Sequence, residues 1–251
     1  MHYFGRMPAV LFADDGSPAV AYGLTARSPP NRKRKFYDRG DRLYVGPLKE
    51  GSEREVKDAH LIFYNTMLTK GNVITVTNGQ QTDGRTFDGD TGKINFEQNL
   101  AKLDTQKAEE IMRAWGYESD SMTTPRVSLA RTPDQALFAM ATEFNGESRE
   151  GAILFSPSSG RPKGLPTYMD SPNGSVAWHI ANSGEVERCL IELPLSGNNA
   201  QEIAENLFYL TNPSQIIAAA AGVFRNGLWE VRFRNRFDSE TEFEAYTENT
   251  K

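Results

Sequence analysis

The chain has 251 residues, a length that fits one or two domains. Its 38% hydrophobic and 24% charged residues are typical of a globular protein and argue against extensive disorder. The formal net charge of −5 disfavours a general nucleic-acid-binding protein, whereas a small anion needs only two or three well-placed Arg or Lys side chains.

The scarcity of cysteine and histidine excludes several kinds of site. A single cysteine, Cys189, excludes an internal disulfide and any CxxC motif, and the three histidines lack metal-ligand spacing. The sequence therefore predicts neither a metal nor a cofactor. The longest apolar run, residues 216–224, is far shorter than the ~18 residues that span a membrane. With no apolar signal segment at its start, the chain is expected to be cytoplasmic and not membrane-bound.

Short runs rich in β-branched and aromatic residues, bounded by Gly, Pro or Asn, dominate the chain and predict strands. They lie at residues 19–26, 43–46, 61–68, 73–77, 127–130, 136–142, 152–156, 176–181, 189–193 and 229–233. Residues 69–72, Thr-Lys-Gly-Asn, predict a hairpin link between two of them.

Helical periodicity appears in two places. Residues 96–115 carry apolar side chains at helical spacing, with Asp104 as an N-cap that splits the segment and Gly116 as its stop. Residues 200–210 form the second helix, and the Ala-rich run 217–221 is either a third short helix or a tightly packed segment.

Strand hairpins followed by helices, twice over, predict an α+β fold with two mainly antiparallel sheets stacked face to face and helices outside. No segment resembles a linker, so residues 1–251 are predicted to form one domain.

Polar segments at predicted strand ends carry the candidate chemistry. Arg27 and Arg32 flank a Pro-stiffened turn and can direct two guanidinium groups toward one anion. Tyr64-Asn65 interrupts an apolar run, and residues 77–83 and 116–126 add amides, hydroxyls and a carboxylate. Taken singly, each segment is typical of an ordinary turn or strand end.

Seven short pieces occur in one order along the chain. They are Gly5-Arg6, Arg27-Ser28-x-Pro30-Asn31-Arg32, Tyr64-Asn65, Asn78-Gly79-x-x-Thr82-Asp83, Tyr117-Glu118, Thr124-Pro125-Arg126, and Ala218-Ala219-Ala220-Ala221 with Phe224. At these pieces the sequence resembles the archaeal-type IMP cyclohydrolase family. It differs from that family by extra residues around 33–42 and 85–92 and by an acidic tail after Phe237.

The resemblance implies a four-layer αββα sandwich of the N-terminal-nucleophile hydrolase type. Autoprocessing is not expected, because Met1-His2-Tyr3 offers no Cys, Ser or Thr to expose. The implied reaction closes the purine ring of 5-formamidoimidazole-4-carboxamide ribonucleotide with loss of water, giving IMP in purine biosynthesis. Such chemistry requires positioning, a donor to the formyl oxygen and a proton acceptor, but no metal or cofactor.

By match to the family's motifs, three residues are the implied catalytic groups: Arg32, Tyr64 and Glu118. The implied substrate-binding residues are Arg27, Asn31, Asn65, Asn78, Gly79, Thr124 and Arg126. Arg27 and Arg126 are the candidates for the substrate phosphate. The order of proton transfer between Tyr64 and Glu118 stays open, as does a homo-oligomeric state. The alternative function is a non-catalytic purine-nucleotide-binding protein of the same fold.

Overall fold

The structure is a computed structural model that describes residues 4–27, 29–57, 59–86, 88–99, 102–118, 120–158, 161–171 and 174–248. The start Met1-His2-Tyr3 and Ser28 of the Arg27–Arg32 segment lie outside these ranges. The strands are β1 (Arg6–Phe12), β2 (Pro18–Thr25), β3 (Arg34–Asp38), β4 (Arg42–Pro47), β5 (Tyr64–Lys70), β6 (Val73–Thr77), β7 (Arg85–Thr86), β8 (Gly89–Asp90), β9 (Arg126–Arg131), β10 (Ala136–Phe144), β11 (Glu147–Phe155), β12 (Lys163–Gly164), β13 (Tyr168–Ser171), β14 (Gly174–Ala177), β15 (Ile191–Glu192), β16 (Ile216–Arg225) and β17 (Leu228–Asn235).

The helices are fewer and mostly short. They are α1 (Pro29–Arg32), α2 (Ala59–Ile62), α3 (Phe96–Asn99), α4 (Thr105–Trp115), α5 (Ala200–Leu210) and α6 (Glu240–Glu248), with 3₁₀ turns at Glu53–Glu55, Gln80–Thr82 and Ser183–Cys189. Among the described residues, no helix is both long and apolar enough to cross a membrane.

Two antiparallel sheets form the body of the fold. The first has the strand order β15-β12-β1-β2-β16-β17, and the second has the order β11-β10-β9-β6-β5-β4-β3. Between them lies an apolar core to which both sheets contribute, with Val20 and Tyr22 on one side and Leu129 and Phe138 on the other. Helix α5 covers the outer face of the first sheet, and α4 covers that of the second. This layer order confirms the predicted αββα sandwich.

Capping residues end the two long helices where the sequence places their ends. The predicted helix 96–115 splits into α3 and α4, and the Asp104 side chain accepts a hydrogen bond from Lys107 N at the start of α4. Gly116, with a φ of +62°, follows its last residue. Helix α5 spans the predicted residues, with Asn199 as its N-cap.

Several local predictions are wrong in whole or in part. Of the two alternatives for residues 217–221, the helix is wrong: the run is tightly packed and lies in β16, where Ala218 and Ala220 face the core between the sheets and Ala219 and Ala221 face α5. Alanine on both faces carries no periodicity, so the run did not reveal a strand. Residues 189–193 are mostly not a strand, because Cys189 ends a 3₁₀ helix and only Ile191–Glu192 pairs. Of the predicted strand 61–68, residues 61–62 belong to α2. Of the predicted strand 176–181, only residues 176–177 pair, at the end of β14.

Several strand ends meet at one end of the sandwich. Strands β1, β5 and β9 begin there, whereas β2 and β6 end there, because neighbouring strands are antiparallel. The hairpin link after β5 is at the opposite end and is shorter than predicted, with only Gly71 and Asn72 between the two strands. The polar segments singled out in the sequence therefore converge on a single end of the fold.

Candidate functional site

A buried ion pair forms the centre of this strand-end region. Arg6, the first residue of β1, donates from Nη1 to Glu118 Oε2 at 3.0 Å, and the Glu118 side chain is only 1% exposed. Gly5 precedes Arg6 with a φ of +73°, and a side chain there would collide with Thr167 and Tyr168. Glu118 lies in the loop after α4, where its backbone N–H donates to Thr124 O at 2.9 Å. Backbone geometry thus fixes both partners.

A second guanidinium flanks the same carboxylate. Arg126, the first residue of β9, places Nη1 3.9 Å from Glu118 Oε1 and donates to Gln81 Oε1 at 3.2 Å. Gly79 makes this possible, because a Cβ at that position would collide with the Arg126 guanidinium and the Gln81 amide. Glu118 is therefore held between two cations.

A pair of tyrosines completes the cluster, which consists of Arg6, Glu118, Arg126, Tyr22 and Tyr64. The hydroxyl of Tyr22, in β2, lies 3.1 Å from the hydroxyl of Tyr64, the first residue of β5. Arg6 interacts electrostatically with both. Burial, and then the neighbouring Tyr64, raise the pKa of Tyr22 well above its ordinary value. Tyr22 therefore stays a phenol at neutral pH.

Burial is the largest single effect on the pKa of each charged group of the site. It raises the pKa of Glu118, against the opposing effect of Arg6 and then Arg126. Burial also lowers the pKa of Arg6, but Glu118 and the nearby tyrosines raise it more, so that it lies well above its ordinary value. The pKa of Arg126 is lowered, chiefly by burial. A carboxyl group with a raised pKa is a better proton acceptor than a solvated one.

Three buried polar atoms at this end have no hydrogen-bond partner within the described residues. They are Asn65 Oδ1, Glu118 Oε1 and Arg126 Nε. Buried polar atoms are normally paired with protein, water or ligand. One acceptor amide oxygen, one carboxylate oxygen and one guanidinium N–H thus remain to bind a polar molecule.

Two predicted substrate-binding residues have structural partners. Asn65 donates to Asp83 Oδ2 at 2.7 Å, and Asp83 is also paired with Arg42 at 3.0 Å. Asn78 donates to Pro125 O at 2.8 Å and accepts from Val127 N at 2.8 Å. Asn78 therefore fixes the start of β9, and with it the position of Arg126.

Thr124 connects the loop of Glu118 to β13. Its hydroxyl lies 2.6 Å from both the Tyr168 hydroxyl and Asp120 Oδ2. The Arg27 guanidinium lies over the Tyr168 ring, 5.1 Å from its centroid. Arg27 and Thr124 thus both contact the Tyr168 side chain.

The described contacts of Arg32 are made with backbone. Its Nη2 donates to Arg27 O at 2.8 Å and its Nε to Ala26 O at 3.3 Å, so that it ties α1 to the end of β2. Asn31, in the same helix, is exposed and accepts through its carbonyl from Arg34 Nε at 2.7 Å. The guanidinium groups paired with Glu118 and interacting with Tyr64 are those of Arg6 and Arg126.

Sequence reasoning found Tyr64, Glu118 and Arg126 but gave no role to two members of the cluster. Gly5-Arg6 was one of the matching pieces, and that match was its only signal in the sequence. Tyr22 had no sequence signal for a functional role, since a tyrosine in an apolar strand is typical of a core. The residues that the structure describes contain no cluster of His, Cys, Asp or Glu able to hold a metal ion.

Comparison with known proteins gives the family. The model of the family described as "IMP cyclohydrolase-like protein" matches residues 3–227. A relative named IMP cyclohydrolase from Methanococcus maripaludis is 30% identical over 141 residues, 56% of this chain and 64% of the relative. One of the same name from Methanosphaera stadtmanae is 25% identical over 237 residues, 93% of this chain and 99% of the relative. The chain spans less than two thirds of the Methanococcus relative but nearly all of the Methanosphaera one. The match over residues 3–227 shows that this chain belongs to the IMP cyclohydrolase-like family.

Proposed function

We propose that this protein is an IMP cyclohydrolase, which closes the ring of 5-formamidoimidazole-4-carboxamide ribonucleotide to give IMP and water. The observation that carries the proposal is the buried pairing of Arg6 with Glu118 beside Tyr64. It combines a proton acceptor and a hydroxyl donor at the end of the sandwich where the family motifs converge. The reaction is the reverse of hydrolysis of a cyclic amidine.

The chemistry needs no covalent intermediate. The carboxamide nitrogen of the substrate attacks the formyl carbon of the same molecule, a C–N bond forms, and the formyl oxygen takes up charge and protons and leaves as water. Holding the two groups in contact supplies much of the acceleration, because the attack is intramolecular. A donor to the formyl oxygen and an acceptor for the amide proton supply the rest.

Two side chains of the cluster match these roles. Glu118 accepts the carboxamide proton or orients that group, since one of its oxygens lacks a partner among the described residues and burial raises its pKa. Tyr64 donates to the formyl oxygen, and its contact with Tyr22 gives it a neighbouring hydroxyl for proton exchange. The two roles remain exchangeable. Arg32 keeps its proposed role as a donor to the formyl oxygen, and its hydrogen bond to Arg27 O also holds the turn that presents Arg27.

Substrate binding is assigned to the polar groups around the cluster. Arg27 and Arg126 are proposed for the phosphate, and Asn65 and Thr124 for polar groups of the base or ribose. Asn31, Asn78 and Gly79 complete the proposed binding set, the last two by placing Arg126. One domain over residues 1–251 and a cytoplasmic location stay predictions.

Incubation of the purified protein with the formamido ribonucleotide, followed by ultraviolet absorbance and chromatography for IMP, tests the proposal. We expect turnover of the nucleotide, with no added metal or cofactor required. IMP binding without any turnover would instead support the non-catalytic nucleotide-binding alternative. Absence of both binding and turnover would refute the proposed function.

A further inference from the structure

Strand β17 is an open edge of the first sheet. It is the last strand of that sheet, and it pairs on one side with β16 in a continuous register without a bulge. The other long edge strands each contact a further element: β3 meets the Asn235 end of β17 itself, and β11 meets a 3₁₀ helix. The Asn235 side chain bonds the backbone N–H and C=O of Phe36 in β3, at 2.8 and 3.1 Å, and β11 lies against the 3₁₀ helix Ser183–Cys189.

The hydrogen-bonding phase of β17 determines which of its backbone groups face outward. Arg236 N donates to Ile217 O, and the register of β16 with β17 continues from that pair to the Asn226-Gly227 turn. Hydrogen-bonded and non-hydrogen-bonded pairs alternate in an antiparallel ladder. The N–H and C=O groups of Trp229, Val231 and Phe233 therefore point away from β16. In agreement, Val231 O accepts from the side chain of Arg232 at 2.9 Å.

On the face of β17 opposite the core, two side chains of opposite charge flank Val231. Glu230 and Arg232 are each about half exposed, with side-chain exposures of 48% and 53%, and pair with each other at 2.8 Å. Leu228, at the start of the strand, is 70% exposed. The strand contains no proline and no inward-pointing charge, the features that commonly protect an edge from pairing.

We propose that β17 pairs with β17 of a second copy of this chain about a two-fold axis at Val231. The first sheet of one copy and the first sheet of the other then form one continuous sheet. In that register Val231 faces its counterpart in a hydrogen-bonded pair, and Trp229 faces Phe233 of the second copy. Glu230 then lies opposite Arg232 of the second copy at a non-hydrogen-bonded position, where cross-strand side chains are closest. The two-fold axis makes this charge pair twice.

Space for the second strand exists beside the edge. A groove of about 220 Å³ runs along Trp229–Phe233, and its other wall includes Asp41, Met67 and Thr69. Side chains of the second copy's strand can enter this groove. Because the interface consists of one self-complementary strand, it is isologous and closes as a dimer.

Charge reversal tests the pairing. We expect the parent chain to be a dimer by sedimentation velocity and light scattering at micromolar concentration. Glu230→Arg gives two cationic side chains facing two cationic ones in the homodimer, and Arg232→Glu gives the anionic equivalent. Each change should raise the dimer dissociation constant by about tenfold or more.

Mixing the two variants provides the decisive comparison. In a mixed dimer both cross-strand pairs again have opposite charge, so an equimolar mixture of Glu230→Arg and Arg232→Glu should recover the dimer. The matched controls are Glu147→Arg and Arg149→Glu, which reverse the equivalent ion pair on β11 and should leave the dimer intact. A monomeric parent, a dimer unchanged by either β17 variant, no recovery on mixing, or equal dissociation by the β11 controls would each overturn the proposal.

Discussion

The hydroxyls of Tyr22 and Tyr64 lie 3.1 Å apart, although one belongs to β2 in the first sheet and the other to β5 in the second. Stacking the sheets face to face brings them together at the end where β5 begins. Arg6 interacts with both from β1, and its ion pair with Glu118 connects them to the loop after α4. The site therefore bridges the two sheets rather than belonging to one.

Removal of Arg6 should change the pH dependence of activity. Burial raises the pKa of Glu118, whereas Arg6 lowers it, so Arg6→Gln should raise that pKa further. Glu118 must be ionised to accept a proton, and the acid-side fall of kcat/KM should therefore move to higher pH. Arg6→Lys, which retains the charge, should move it less.

The matched control for this change is Arg161→Gln, which removes an exposed ion pair with Glu192. It should leave the pH profile as in the parent. An Arg6→Gln enzyme that folds normally and keeps the parent's acid limb would show that Glu118 is not the titrating group.

Adding a methyl group at Gly79 should weaken substrate binding. Gly79→Ala forces Arg126 and Gln81 to move, because the new Cβ occupies their space. If Arg126 binds the phosphate, KM should rise by about tenfold or more, the cost of losing one charge-assisted hydrogen bond. Gly184→Ala, at a non-left-handed position with only Asn182 close by, should leave KM unchanged. Equal KM values in the two variants would argue against the assignment.

Replacement of Arg27 by lysine should separate charge from geometry. Arg27→Lys keeps the positive charge but loses the planar fork that binds a phosphate through two hydrogen bonds. We expect KM to rise about tenfold with kcat little changed, measured by steady-state kinetics. Arg113→Lys, on an exposed ion pair with Glu150, is the control. An unchanged KM for Arg27→Lys would remove this residue from the phosphate site.

Arg131 gives a prediction for stability at the other end of β9. It is fully buried, its Nη1 donates to Leu11 O and to Ala19 O, and its Nε and Nη2 have no partner among the described residues. Arg131→Met replaces an incompletely paired buried charge with an apolar chain of similar length, so the free energy of unfolding should fall by less than about 1 kcal/mol or rise. Arg131→Ala should lower it by about 3 kcal/mol, because it opens a cavity. Equal losses in denaturant unfolding would contradict this explanation.

The sequence allowed the layer order to be predicted because alternation and helix caps are local signals, as Asp104 and Gly116 show. Strand β1 escaped prediction, since Pro8 within it is typical of turns and edges. Strand β16 was ambiguous because an alanine run fits either period. Such patterns describe each segment alone, whereas the sheet order depends on contacts between distant segments.

The same limit applies to the site. Tyr64 and Glu118 were identified through motif resemblance, and the structure places both beside Arg6. The partners that set the electrostatics lie far away in sequence: Arg6 is 112 residues from Glu118, and Tyr22 is 42 residues from Tyr64. Burial of the Arg6–Glu118 pair, which raises the pKa of the carboxyl, arises only when β1 and the loop after α4 pack together.

The most direct test of the account is turnover of the formamido ribonucleotide by Tyr64→Phe and Glu118→Gln beside the parent, with IMP affinity measured by calorimetry on the same samples. Removal of one well-aimed group from a preorganised site typically costs ~10²–10³ in kcat. We predict a loss of at least that order in each variant, with IMP affinity close to that of the parent. Parent-like turnover in both variants would contradict the assignment of this cluster as the catalytic centre.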